Sequence, residues 1–204
     1  MYKHFFKRLL DLVLSILGIV VLGIPMLIIA LIIKIDSPGP VFFKQRRIGI
    51  HKKEFTIIKF RSMPVNVPHD TPTHQFKAED MLTKWQRIER SASLDELPQL
   101  FNIAVGQMSV IGPRPALWNQ YDLIDERDKY GANDIKPGLT GWAQINGRDE
   151  LEIPIKAKFD GEYVQKLSFL FDCKCFFGTI KSVLKRDGVV EGGTGELERR
   201  NQLR

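Results

Sequence analysis

From Leu12 to Ile33 the chain carries no charged residue, an apolar run of 22 positions. That length is enough for a transmembrane helix. Pro25 falls near its middle, where it deletes a helical hydrogen bond and crowds the preceding turn. Lys3, Lys7 and Arg8 precede the run, and Lys34, Lys44, Arg46 and Arg47 follow it. Because cytoplasmic flanks collect Lys and Arg, both ends belong on the same side of a membrane. The pattern therefore predicts a re-entrant helix-break-helix anchor over residues 1–35. Its arms, roughly 20 and 12 Å long at helical rise, are shorter than the hydrocarbon layer. The backbone freed at the break needs a partner such as Ser15 or ordered water. A kinked full span is the competing reading. A cleaved signal is disfavoured, since no small-x-small site follows the run.

Beyond Asp36-Ser37-Pro38-Gly39-Pro40, a turn sequence, the alternation changes. Val41 to Arg46 and Phe55 to Phe60 read as strands of a hairpin joined through Gly49 to Lys53. Period-two alternation puts Lys59 and Arg61 on one face, as a diphosphate grip or as solvated edge charges. Residues 64–78, with His69 and His74, form a surface loop without metal-ligand spacing. A helix follows over Glu79 to Arg90, with Trp85 and Ile88 as its buried points. Leu97, Leu100, Phe101 and Ala104 give a short amphipathic helix stopped at Gly106. Near the end, Phe176, Phe177, Ile180, Val183 and Leu184 share a helical face flanked by Lys174, Lys181, Lys185 and Arg186. Such a helix can pack on a sheet or lie in a membrane interface, and the basic rim favours the interface. The fold class is α/β in the α+β sense: a membrane hairpin, a small β-hairpin or sheet, and amphipathic interfacial helices. Residues 36–187 form one domain beyond the anchor, and residues 188–204 read as a disordered tail.

The candidate chemistry centres on Ser93-Leu94-Asp95-Glu96-Leu97-Pro98-Gln99. Ser93 and Glu96 fit the S-x-x-E capping box, in which each side chain takes a free N–H of the opening turn. Pro98 fits better if the helix opens near residue 98, leaving Asp95 and Glu96 at its mouth. The two carboxylates then suit phosphate or metal chemistry. In Gly112-Pro113-Arg114-Pro115 two prolines fix the backbone of Arg114, either for a phosphate or base or simply as a rigid loop. Pro137-Gly138 reads as the centre of a type II turn. Trp142, Gln144, Asn146 and Arg148 offer an aromatic plane, amides and a guanidinium, suited to a nucleobase or else to a buried Trp and a polar hairpin.

The 204 residues are 44% hydrophobic and 26% charged, which is globular composition. Residues 1–61 carry a balance of +8, so the total of +6 leaves −2 for the rest. A basic end surrounding the most apolar stretch fits an anionic membrane surface. No zinc-finger or recognition-helix pattern supports nucleic-acid binding. Cys173 and Cys175 lack the partners of a zinc site or a disulfide framework, and read as reduced cytoplasmic thiols.

Taken in order, Lys7-Arg8-x-x-Asp11, Asp36-Ser-Pro-Gly-Pro40, Lys59-Phe-Arg-Ser-Met63, Ser93-Leu-Asp-Glu-Leu-Pro-Gln99, Gly112-Pro-Arg-Pro115 and Lys136-Pro-Gly-Leu-Thr-Gly-Trp-Ala-Gln-Ile-Asn-Gly-Arg148 resemble the small bacterial sugar transferases, the monotopic phosphoglycosyl transferases. The resemblance spans roughly Tyr2 to Gly188. It implies transfer of a sugar 1-phosphate from a UDP-sugar, expected to be a 2-acetamido sugar, to undecaprenyl phosphate with release of UMP, in the first membrane step of glycan assembly. By the same resemblance Asp95 is the nucleophile of a covalent phosphosugar intermediate and Glu96 binds Mg²⁺. Lys59, Arg61, Arg90, Arg114, Gln144, Arg148, Asp160 and Tyr163 are the implied substrate contacts. Pro25 marks the break of a monotopic anchor in the bacterial inner membrane, with the catalytic domain on the cytoplasmic face. Self-association into a homodimer is compatible with the family. A non-catalytic membrane adaptor is the alternative. The sequence departs from the family pattern at Ile24, often Ser, at Gln86, usually Gly, and at Gln107, often Asp; the last is expected to tune donor preference or the metal environment.

Overall fold

A computed structural model describes residues 2–65, 82–147 and 151–185. The calls on the 64–78 loop beyond residue 65, on Arg148 and on the tail from 188 therefore lie outside the described residues. The chain is mixed helix and sheet, as expected. Its first long element, α1 (Lys7–Asp36), is a single 30-residue helix that contains Pro25. The two arms expected on either side of Pro25 are thus not seen as separate helices. Ser15 Oγ donates within its own turn to the Leu12 carbonyl and does not serve the proline.

α1 is two-faced along its whole length. Asp11, Ser15, Met26, Ile29 and Ile33 are buried, whereas Val13, Leu17, Val20, Ile24, Leu27 and Leu31 are exposed. Each set repeats at three- and four-residue intervals, the spacing of a helix stripe. The buried stripe packs chiefly on the helix at 99–104 and meets Ile57 and Phe60 of a hairpin, β1 (Phe42–Ile48) and β2 (Glu54–Phe60), an antiparallel pair that sets Lys59 opposite Phe43. Met26, Ile29 and Ile33 meet Phe60, with Trp85, Leu94 and Leu97 beside them. Ile19 and Leu22 meet Ile57, Leu100, Ile103 and Met108.

α2 (Lys84–Ser91) opens on a capping box in which Thr83 Oγ1 accepts from Gln86 N and the Gln86 side chain accepts from Thr83 N. Its inner face is polar. Gln86 and Glu89 are buried, whereas Ile88, expected inside, is 54% exposed. α3 (Gln99–Ala104) turns Leu100 and Ile103 inward and leaves Phe101 exposed, which shifts the expected apolar face.

β3 (Ser109–Ile111) and β4 (Gly138–Thr140) form a parallel pair. Pro137-Gly138 therefore enters a strand and is not the centre of a turn. A Cβ on Gly112, Gly138 or Gly141 would overlap backbone across this pair, so glycine is needed for the close approach. α4 (Tyr121–Asp128), the short α5 (Trp142–Ile145), α6 (Ile153–Lys166) and α7 (Phe169–Lys185) complete the chain. α5 stands where the hairpin reading would have put a strand. Tyr163, Ile111, Ile135 and Cys175 share a core cluster among these elements.

Candidate active site

Asp95 and Glu96 lie in a single 3-10 turn, Leu94–Glu96, between α2 and α3. Ser93 does not cap a helix start. It has φ 55° and no side-chain capping bond, and its N–H donates to the Arg90 carbonyl. It is the left-handed residue that ends α2, a position usually filled by glycine. α3 begins only at Gln99 with Pro98 at its cap, as the proline argument required. The turn lies between two helix ends, so its side chains are aimed by both.

Both carboxylates are buried. Glu96 Oε1 accepts from Lys59 Nζ at 2.9 Å and from Arg114 Nη1 at 3.0 Å. Burial pushes the Asp95 carboxyl above the usual carboxylate range; Lys59 pulls it back, Glu96 raises it further, and Arg90 and Arg114 lower it. Burial likewise lowers the Lys59 ammonium pKa, against the opposing pull of Glu96. Ser62 Oγ lies 3.4 Å from Asp95 Oδ2 and 3.5 Å from Arg90 Nη1, long contacts that nonetheless put all three at one point. The result is a pair of adjacent carboxylates ringed by cations, a suitable place for phosphoryl groups.

The scaffold explains why these side chains converge. Lys59 is the penultimate residue of β2, whose Ile58 N–H donates to Asn102 Oδ1 on α3. The loop bearing Arg114 is held from two sides. Gly112 N donates to the Thr140 carbonyl and Gly138 N to that of Pro113, while Arg47 Nη1 on β1 donates to the Pro115 carbonyl at 2.9 Å. Arg47 and Ser62 thus serve the site without standing out in the sequence. Arg47 read as a membrane flank charge, and Ser62 as a strand-end residue.

Other expected contacts lie elsewhere. The guanidinium of Arg61 donates to the carbonyls of Pro38 and Ser37 and to Ser37 Oγ, locking the turn after α1, so it does not share a phosphate grip with Lys59. Asp160 is buried against Arg127, whose Nε lies 2.8 Å from its Oδ2. Tyr163 donates to Asp172 Oδ1 at 2.6 Å and also lies within bonding distance of the Ile111 carbonyl. Trp142 is packed against Phe171 and Phe159, with Lys174 over its ring and its Nε1 donating to Glu162. Its plane is taken up by the scaffold and is not open to a base. Gln144, however, joins Glu96 in lining one cavity, and its buried Oε1 has no hydrogen-bond partner. Gln107 accepts from Asn102 Nδ2 at 2.7 Å and so supports the α3–β2 junction, not the dyad.

Glu89 is a group that sequence reading passed over. It is fully buried, neither carboxylate oxygen has a hydrogen-bond partner among the described residues, and burial pushes its pKa up to about 8. Asp95 and Asp36 raise it further, whereas Arg90 and Arg61 act against them.

The fold thus presents one N-terminal helix long and apolar enough to cross a membrane, beside a buried carboxylate pair among cations. Residues 2–186 match the bacterial sugar transferase family, and the chain belongs to it. An uncharacterized sugar transferase, EpsL, of Bacillus subtilis is 38% identical over 95% of this chain and 94% of its own length. The UDP-glucose:undecaprenyl-phosphate glucose-1-phosphate transferase of Escherichia coli is 40% identical over 85% of this chain, but only 39% of its own length is covered. The UDP-N-acetylgalactosamine-undecaprenyl-phosphate N-acetylgalactosaminephosphotransferase of Aeromonas hydrophila is 34% identical over 88% of this chain and 44% of its own. The chain thus spans about two fifths of these two relatives with stated substrates.

Proposed function

We propose that this protein transfers a sugar 1-phosphate from a UDP-sugar to undecaprenyl phosphate at the cytoplasmic face of a bacterial membrane, releasing UMP. The observation that carries the reading is the buried Asp95-Glu96 pair with Lys59, Arg90 and Arg114 around it. In the first step an Asp95 carboxylate oxygen attacks the β-phosphorus. The bond from that phosphorus to the bridging oxygen breaks, and UMP leaves with the oxygen and its electrons. In the second step an oxygen of the lipid phosphate attacks the same phosphorus and displaces Asp95, giving a polyprenyl diphosphate sugar. Cations around the dyad offset the charge that builds on the phosphoryl oxygens.

The donor set fits Mg²⁺. Among the described residues there is no cluster of three or more potential metal ligands, but Mg²⁺ is commonly held by one or two carboxylates completed by substrate phosphates. Glu96 would hold it, exchanging part of its contact with Lys59 and Arg114. When bound, the ion supplies charge neutralisation at the diphosphate and the leaving UMP. Glucose and N-acetylgalactosamine both occur in the names of relatives, so the 2-acetamido donor is tested beside plain hexoses.

The placement of both ends of α1 on one side of the membrane belongs to this reading, as does a re-entrant path for the apolar run. It is supported by bonds from both helix ends to the same domain: Lys7 to Asp172, and Asp36 to Thr83. UMP release is measured with a panel of UDP-sugars and undecaprenyl phosphate, with and without EDTA. Wild type releases UMP with at least one donor and EDTA stops it. Asp95→Asn folds but loses turnover by about 1,000-fold or more. Full activity in that variant would sink the covalent scheme.

A further inference from the structure

A cavity of about 200 Å³ opens beside the dyad. Glu96 lines it together with Leu97, Val110, Leu139, Ile145, Phe176 and Ile180. No step of the phosphoryl transfer needs this carbon-lined space. Nor is it an accident of loose packing, because α7 is drawn tightly against α5 beside it. A Cβ on Gly178 would come within 2.7 Å of Ile145 Cδ1. Thr140 and Thr179 pair their hydroxyls at 2.7 Å, and the Thr179 hydroxyl also lies 2.8 Å from the Cys175 carbonyl, so these two hydroxyls are satisfied within the scaffold.

The geometry points to this cavity as the slot for the first isoprene units of the acceptor lipid, whose phosphate sits at the cationic end by Arg114 and Lys59. Two properties of the cavity select that occupant. The cavity joins Glu96, with its cations, to carbon walls in one continuous space, matching a prenyl phosphate whose charge is confined to its head. Its apolar end also continues into the outer face of α7, where Phe176, Phe177 and Ile180 are exposed beside Phe169 and Leu170. An apolar helix face of this kind lies well against lipid. A chain entering from the bilayer along α7 therefore reaches Glu96 without leaving an apolar surface. The uridine and sugar of the donor are polar throughout and gain little from such walls.

The inference rests on the transferase reading, and the test separates the two. Ile180→Trp fills the slot, Ile180→Glu puts charge in it, and Tyr121→Trp changes an exposed position on α4, away from the slot and its approach, as a control. For each purified protein, thermal unfolding checks the fold. The burst of UMP on mixing with UDP-sugar alone reads the donor step, and the KM for undecaprenyl phosphate reads the acceptor. Both Ile180 variants should raise that KM at least tenfold and keep the burst, while Tyr121→Trp changes neither. If the variants fold and the KM is unchanged, or if the burst falls in parallel with the acceptor step, the slot is not where the lipid binds. Wild-type protein that releases no UMP from any UDP-sugar overturns the transferase reading, and the slot with it.

Discussion

Asp95 and Glu96 are neighbours in sequence with different surroundings. Glu96 is bonded to Lys59 and Arg114, whereas among the described residues Asp95 has a long contact from Ser62, 3.4 Å away, and faces an incoming phosphorus in the proposed reaction. The same small region holds Glu89, whose buried oxygens find no partner. Its pKa is about 8 in the folded chain against 4.5 for the ordinary side chain. The folded state therefore keeps a proton that the unfolded state loses, and stability falls as pH rises from about 4.5 through 8. The loss is at most about 5 kcal/mol. Glu89→Gln, which cannot ionise, should escape it. Its melting temperature should exceed that of wild type by several degrees at pH 9 and converge with it near pH 5. Parallel pH profiles for the two proteins would show that Glu89 is solvated in the folded state. The dyad itself was legible because two adjacent carboxylates beside a proline restrict the local backbone strongly. Glu89 was not legible, since a Glu in a short polar helix reads as an exposed residue until a partner element covers it.

At the scale of elements, local chemistry was readable wherever neighbours in sequence decide the outcome. The β1–β2 hairpin and the helix opening at Pro98 are of that kind. The inner face of α2 is set instead by what lies across from it, namely the dyad turn and the end of α1, so apolar periodicity found Trp85, which packs against α1, but put Ile88 inside in place of Gln86 and Glu89. The β3–β4 pair is likewise long-range, and its glycines resembled a turn because the sequence cannot show a second strand passing over them. That crossing is where the fold meets the chemistry, since it holds the Arg114 loop. Gly138→Ala should cost about 3 kcal/mol or more, because its Cβ would meet the Gly112 backbone, which cannot move without shifting Arg114. Gly23→Ala is the matched control. Nothing lies within 4 Å of its added Cβ, and alanine is the better helix former by about 1 kcal/mol. Thermal unfolding of the pair, with UMP release alongside, checks both. Equal stability in Gly138→Ala would mean that the strands have room to part.

For the whole molecule, the question is how a 30-residue apolar helix meets a membrane. At helical rise α1 is about 45 Å long, more than the hydrocarbon thickness. Length alone would allow it to cross. Its bonds argue otherwise. At one end Lys7 pairs with Asp172 at 2.7 Å, Arg8 donates to the carbonyls of Ile103 and Ala104 that close α3, and Asp11 accepts from Val110 N and Ser109 Oγ. At the other end Asp36 accepts from Thr83 Oγ1, and Arg61 grips Ser37 and Pro38. A span would put these ends on opposite faces, forcing the domain's charged groups into hydrocarbon or breaking one set of bonds. With both sets kept, only the outer stripe from Val13 to Leu31 is left for lipid, and α1 and the exposed face of α7 can meet the bilayer from one side. Single cysteines placed by Lys3→Cys and Arg200→Cys, in a chain with Cys173 and Cys175 replaced by serine, report this directly. In intact cells a membrane-impermeant thiol reagent should label neither, and permeabilisation should expose both. Labelling of one terminus alone before permeabilisation would establish a span, and would require the Lys7, Arg8 and Asp11 contacts to open in the membrane.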